Sequence, residues 1–206
     1  CLSRGLGDVY KRQHWREVLI AAGLKVVETA PFYIFSTFVV SYAVNNLGYA
    51  KGSALNAVMI GALVASLLIP VMGWLSDRIG RKRVYIGGII AIALYIVPYF
   101  MLLDTRTQWG ITLATVIGFG VLWAPVTAVL GTLSSEIFST RVRYTGITLG
   151  YQLGAALAGG TAPLIATWLL AEYKGSWQPV ALYMLATVAI SLVAICLLYT
   201  SDAADE

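Results

Sequence analysis

Histidine and cysteine are nearly missing from this sequence, and charge is scarce throughout it. The one histidine, His14, stands before the first apolar run, so neither a His-based metal cluster nor a Ser-His nucleophile pair can assemble in the hydrophobic body of the chain. The two cysteines, Cys1 and Cys196, lie near opposite ends and leave the middle with nothing to staple or ligate. No Walker sequence is present, which excludes ATP drive of the P-loop kind. Only 12% of residues are Asp, Glu, Lys or Arg, against 59% hydrophobic and a mean hydropathy of +0.78. That balance lies well beyond a water-soluble globule. No metal and no cofactor is expected, and the chain belongs in a lipid bilayer.

What is there is long apolar sequence. A hydrocarbon core about 30 Å thick needs roughly 20 apolar residues at 1.5 Å each. Six runs meet that length: Val18 to Val44, Leu55 to Leu75, Val84 to Leu103, Ile111 to Ile137, Gly146 to Leu170, and Pro179 to about Ile195. The connectors NNLGYAKGS, SDRIGRKR, DTRTQW, SSEIFSTRVRYT and EYKGSWQ are short and polar. Barrel strands would alternate apolar and polar residues over about 10 positions, and these runs do not. The expected fold is all-α and integral to the membrane, a six-helix bundle.

Both ends are set apart from that bundle. Residues 3–13, SRGLGDVYKRQ, back-translate without strain to a DNA string resembling a transposase adapter of sequencing libraries. Residues 196–206, CLLYTSDAADE, do the same for the reverse complement of the companion adapter. Residues 1–13 and 196–206 are therefore expected to be adapter-derived, which leaves 14–195 as the membrane-embedded portion, open at both ends.

Eleven cations and six carboxylates remain in 14–195, and their placement is lopsided. With helices alternating in direction, Arg16, Arg78, Arg81, Lys82, Arg83, Arg141 and Arg143 fall on one side; Lys51, Arg106 and Lys174 fall on the other. Lys and Arg accumulate in cytoplasmic loops, so the side with seven is read as cytoplasmic, with both ends of the fragment there. A basic patch for acidic lipid or nucleic acid is the alternative, but so short a run beside membrane spans reads as a topology signal, and no nucleic-acid partner is expected.

The stretch GWLSDRIGRKRVY, Gly73 to Tyr85, sits between the second and third runs. Gly73 would let the helix end approach a neighbour, Asp77 can accept from backbone N–H groups or pair with Arg, and Gly80 permits a tight reversal. Gly73, Asp77, Arg78, Gly80, Arg81 and Lys82, with Leu75, resemble the G-x-L-x-D-R-x-G-R-[KR] loop signature of the major facilitator superfamily. The resemblance implies a loop after the second helix of a six-helix half that latches the cytoplasmic side in the outward-facing state. A second stretch, Ser135 to Gly146, is similar to the E-x-[FY]-P-T-x-x-R-x-x-[GA]-like segment after the tenth helix of such transporters, with Glu136, Arg141, Arg143 and Gly146 in matching positions and Ser139 where Pro often stands. Its continuation through TRVRYTGITLGYQLGAALAGGTAPLIATWL resembles the metabolite:proton symporter branch, which includes carriers of dicarboxylates, shikimate and osmolytes such as betaine. The implied architecture is the C-terminal half of a 6+6 fold, partnered by a missing N-terminal six-helix half in a bacterial inner membrane.

Gly150, Gly154 and Ala158 repeat at four-residue spacing, one small face on which a partner backbone can come close. Gly159, Gly160 and Pro163 interrupt the same helix, either as a bend around substrate or as ordinary membrane-helix composition. Lys25 and Glu28 lie inside the first run, roughly 13 and 18 Å deep counting from Arg16. A lone central charge costs about 2.5–3.5 kcal/mol, so the two are expected to share a face at i, i+3 and to point into protein or a wet cavity. Two readings are open: a structural ion pair, or groups lining the transport path, with Lys25 holding an anionic substrate group and Glu28 carrying the coupling proton. Phe32, Tyr33, Asn45, Asn46, Tyr151 and Gln152 are further pocket candidates, each with ordinary packing as its alternative.

The expected function is secondary transport of a small polar metabolite, an organic acid or osmolyte, by alternating access with proton symport. A multi-span membrane enzyme and a non-transporting receptor on a similar fold are the alternatives.

Overall fold

The computed structural model describes residues 15–138, 140 and 142–202, so His14, Ser139 and Arg141 lie outside the described residues. Six helices run through the described residues: α1 (Trp15–Asn45), α2 (Lys51–Ile79), α3 (Arg81–Asp104), α4 (Gln108–Ile137), α5 (Arg143–Glu172) and α6 (Gln178–Asp202). All six are long and apolar enough to cross a membrane. Each overruns the apolar run that predicts it, because the flanking polar residues continue the helix into the headgroup region. The connector SDRIGRKR is almost wholly helical: α2 runs to Ile79 and α3 starts at Arg81, leaving Gly80 alone between them. Gly80 adopts φ +96°, a conformation that L side chains rarely adopt, while its N–H closes α2 on the Ser76 carbonyl at 2.9 Å.

The opposite end is closed by side chains. The Thr107 hydroxyl accepts from the Gly110 N–H at 3.1 Å and caps α4. Tyr49 donates to the Leu103 and Thr107 carbonyls, both at 3.1 Å, tying the first connector to the third. Trp177 stacks on Phe100 at 5.2 Å and donates to Asp104 Oδ2 at 2.8 Å, so the last connector is fastened to α3 as well.

Three helices widen into π turns: Ile34–Phe38 in α1, Val116–Leu122 in α4 and Ala155–Gly160 in α5. In α4 and α5 the widening has a visible cause. Pro125 and Pro163 follow by three residues, and the carbonyl four residues before each proline has lost its donor and would clash with the ring in an unwidened helix. The interruption expected at Gly159, Gly160 and Pro163 is thus a local widening, and α5 runs on to Glu172.

Helix α1 is the hub, packed on α6, α5 and α4, while α3 packs on α4 and α6 and α2 leans mainly on α4. Tyr85, Tyr99, Phe35 and Phe100 fill the shared core without exposure. In lipid such burial stabilises through close packing rather than water exclusion, which makes the glycine contacts below energetically relevant. The apolar window of α2 is only 11% buried, so most of this helix faces lipid or another part of the protein.

Candidate functional site

The site forms where α1, α4 and α5 meet, halfway along α1. Lys25 Nζ and Glu28 Oε2 stand 2.5 Å apart, with side chains 17% and 12% exposed. The i, i+3 spacing puts both on one helix face, and they point into protein as the spacing predicts. Glu28 Oε2 also accepts from the Thr29 hydroxyl at 2.9 Å, and Oε1 faces the Thr127 hydroxyl of α4 at 3.5 Å. Lys25 Nζ lies 4.9 Å from the centroid of the Tyr151 ring on α5, within cation–π range.

Why can α5 come so near a lysine? The small face is the reason. A β-carbon added at Gly154 would lie 2.7 Å from both the Ala22 carbonyl oxygen and Lys25 Cβ, and one at Gly150 would lie 2.6 Å from Ala21 Cβ. Gly159 meets Thr29 Cγ2 at 2.7 Å, and Ala158 is buried against Ala30. The Gly150–Gly154–Ala158 stripe therefore docks α5 on α1 along the charged pair.

Three neighbouring helices hold the α1 backbone beside the pair. Tyr85 of α3 donates to the Leu24 carbonyl at 2.6 Å, and Trp123 of α4 donates to the Glu28 carbonyl at 2.8 Å. The Ser191 hydroxyl of α6 donates to the Gly23 carbonyl at 2.6 Å and accepts from the Val27 N–H at 3.0 Å, entering the helix ladder. Sequence reasoning missed Thr127, Trp123, Tyr85 and Ser191. Trp123 alone gave a signal: a tryptophan deep inside an apolar run needs a partner for its N–H. Phe32 belongs to the site, with its ring 5.2 Å from Trp123 and 5.5 Å from Phe119, while Tyr33 packs edge-on to Phe32 at the exposed margin.

Asn45, Asn46 and Gln152 do not join the charged pair. Asn45 and Asn46 lie about 25 Å further along α1, counting 1.5 Å per residue from Glu28. There they line a separate cleft of about 390 Å³ with Ser41, Thr167 and Lys174. Gln152 is exposed on α5, turned away by its one-residue offset from Tyr151.

The two loop motifs converge at the basic end. Arg81 pairs with Glu136 at the end of α4, and its other nitrogen is 3.7 Å from Asp77 Oδ1, so one guanidinium joins α2, α3 and α4. Arg78 lies 4.0 Å over the Trp74 ring, and Lys82 is exposed. Arg143 Nε donates to the Phe138 carbonyl at 3.2 Å. Gly146 is buried directly under the Phe138 ring, with no room for a β-carbon. At Gly73, among the described residues, no neighbouring helix comes within 4 Å of where a β-carbon would be. Arg141 of the second motif lies outside the described residues.

Comparison with known proteins gives a consistent set of relatives. The family model described as Major Facilitator Superfamily matches residues 22–206. The chain is similar to the shikimate transporter of Escherichia coli (32% identity, covering 88% of this chain and 41% of that protein) and to the proline/betaine transporter of Salmonella typhimurium (30%, covering 88% and 36%). It is also similar to the citrate-proton symporter of Klebsiella pneumoniae (25% identity, 92% of this chain and 43% of the relative). The chain thus spans about two fifths of the length of these relatives. No solved structure matches.

Proposed function

The chain belongs to the major facilitator superfamily, and from that premise we propose that it is the C-terminal six-helix half of a secondary carrier that moves a small carboxylate-bearing metabolite with a proton. It is a multi-pass membrane protein; the finer placement, in a bacterial inner membrane with the Arg81 end cytoplasmic, rests on the excess of Lys and Arg at that end. The complete carrier would include a further six-helix half packed against this one. The reading is of a carrier rather than an enzyme or a receptor.

The observation that carries the proposal is the Lys25–Glu28 pair, held halfway through the bundle at the junction of three helices. The substrates for which these relatives are named, shikimate, proline or betaine, and citrate, all bear a carboxylate. Lys25 supplies the one cation in the site to meet such a group, and Phe32, Phe119 and Trp123 supply an apolar wall beside it. When substrate engages Lys25, Glu28 parts from its counter-ion, and a proton takes the place of the ammonium beside the carboxylate. Opening to water restores the charged form and releases the proton. Arg81, Asp77 and Glu136 would join the basic ends of α2, α3 and α4 in one alternating-access state and part in the other.

The test is transport by the complete carrier in proteoliposomes, with and without an imposed pH gradient. Glu28→Gln imitates the protonated state, so substrate exchange should continue while uphill accumulation is abolished. Accumulation equal to the parent's would leave Glu28 as half of a structural ion pair and overturn the coupling role.

A further inference from the structure

At the end of the bundle opposite Arg81, α1 and α5 border a cleft of about 390 Å³, a volume within the range of small-ligand pockets. Ser41, Asn45, Asn46 and Lys174 line it, beside the buried rings of Phe38 and Tyr42. The Lys174 ammonium has no ion-pair or hydrogen-bond partner among the described residues. Ser41 Oγ accepts from Asn45 Nδ2 at 3.2 Å, which leaves its own hydroxyl proton free to donate. Asn46 Nδ2 lies 3.3 Å from where a β-carbon of Gly175 would be, so its carboxamide stands against the turn that carries Lys174. In that turn Lys174 holds φ +55°, a left-handed conformation that glycine or asparagine adopts more easily than lysine. The Gly175 N–H donates to the Leu170 carbonyl at 2.7 Å and fixes the turn, and with it the root of the cation beside the cleft.

The charges around the cleft narrow what it can hold. Neither Asp104, which accepts from Trp177 at 2.8 Å, nor Glu172 is part of the lining. One ammonium with neutral donors beside it suits a carboxylate. Both α1 and α5 end here, and the partial negative charge of two helix C-termini opposes a second anionic group on the same molecule. Between the cleft and the charged pair, the exposed residues Tyr33, Thr37, Ser41 and Asn45 recur every four positions along α1. The π turn Ile34–Phe38 takes up about one extra residue, so this repeat stays in line where a helix of 3.6 residues per turn would drift.

We propose that the cleft is a recruitment site at the outer end of the carrier, where Lys174, Asn46 and Ser41 take up a small molecule bearing a single carboxylate before it passes along α1 to Lys25. This rests on the reading of the substrate as carboxylate-bearing. Asn45 stands about 25 Å along α1 from Glu28, farther than a small metabolite reaches, so the two sites act in series.

The test uses the complete carrier in vesicles of neutral phosphatidylcholine, where anionic lipid headgroups make no contribution. A Thr167→Cys variant places a thiol in the lining, and its reaction with anionic and cationic methanethiosulfonate reagents is compared with that of a free thiol, the parent serving as blank. The anionic reagent should be favoured, and Lys174→Gln should lower the anionic-to-cationic rate ratio about threefold or more, while Lys174→Arg retains it. Shikimate or betaine should slow the labelling, and citrate, with several carboxylates, should not at matched ionic strength. In uptake of the same compounds, Lys174→Gln should raise KM about tenfold with the maximal rate unchanged, the signature of lost binding shared by ground and transition states. An unchanged reagent ratio or KM in Lys174→Gln, protection by citrate above the others, or an effect seen only after anionic lipid is added, overturns the recruitment site. Failure of the carrier reading is distinguishable, because Lys25→Ala would then leave uptake at the parental level, whereas failure of this site alone leaves Lys25→Ala impaired and Lys174→Gln unaffected.

Discussion

Gly154→Ala tests the geometry on which the site depends. The added β-carbon would lie 2.7 Å from the Ala22 carbonyl oxygen and 2.7 Å from Lys25 Cβ. Ordinary contact begins at about 3.4 Å, so roughly 0.7 Å must be found on both sides at once. One neighbour is backbone and the other is the root of the lysine, so neither can yield by rotating a side chain. Helices α1 and α5 must part, at about 1–3 kcal/mol for overpacking. Parting them also carries Lys25 away from the Tyr151 ring and alters the cavity wall. Gly160→Ala is the control: six residues later on the same helix, nothing lies within 4 Å of its β-carbon position. There Ala should be neutral or stabilising by about 0.5–1 kcal/mol through helix propensity. Thermal unfolding of the complete carrier in detergent, followed by uptake in proteoliposomes, reads both variants. Equal melting temperatures and equal uptake for Gly154→Ala and the parent would refute the close approach of α5 to the charged pair.

Asp77→Asn and Glu136→Gln each remove a partner of Arg81, but these groups are half or more exposed, so stability should change by less than about 1 kcal/mol while flux falls strongly. Normal flux at equal surface expression would leave the motif as a topology anchor. Trp123→Phe keeps a ring against Phe32 and removes the indole N–H that donates to the Glu28 carbonyl, and should cost about 0.5–1.5 kcal/mol in thermal unfolding. Ser191→Ala should cost no more than that, because the Val27 N–H can return to the Gly23 carbonyl once the hydroxyl has gone.

The spans, the small face of α5 and the mid-helix charges were legible because each is written in local pattern. A run of 20 apolar residues needs no partner to be recognised, and glycines four apart mark a face wherever the helix is placed. The partners of that face were not legible. Nothing local says that Gly154 meets Lys25 rather than another helix, or that Arg81 reaches across 55 positions to Glu136. Which pocket candidates share a place with the pair was not legible for a related reason. Asn45 and Asn46 share a helix with Glu28 but stand well over a dozen residues further along, and Gln152 adjoins Tyr151 in sequence but points elsewhere by helical phase. Polarity within a span identifies a group that needs a partner, while depth and phase decide which one.

Depth and phase also bear on why the charged pair is there at all. A buried ion pair is a weak source of stability, since the cost of removing both charges from water rivals their attraction, and an apolar pair of similar volume often serves the fold as well. Here the cost is high, with both side chains less than one-fifth exposed. The compensating contacts are few: Thr29 at 2.9 Å, Thr127 at 3.5 Å and one ring face. Meanwhile the backbone around the pair is also held from α3, α4 and α6 by hydrogen bonds from Tyr85, Trp123 and Ser191. These bonds reach the α1 backbone and do not run through the charged groups. A pair that is costly and sparsely satisfied is what the proposed carrier role would use: Lys25 to meet a carboxylate, Glu28 to take up a proton.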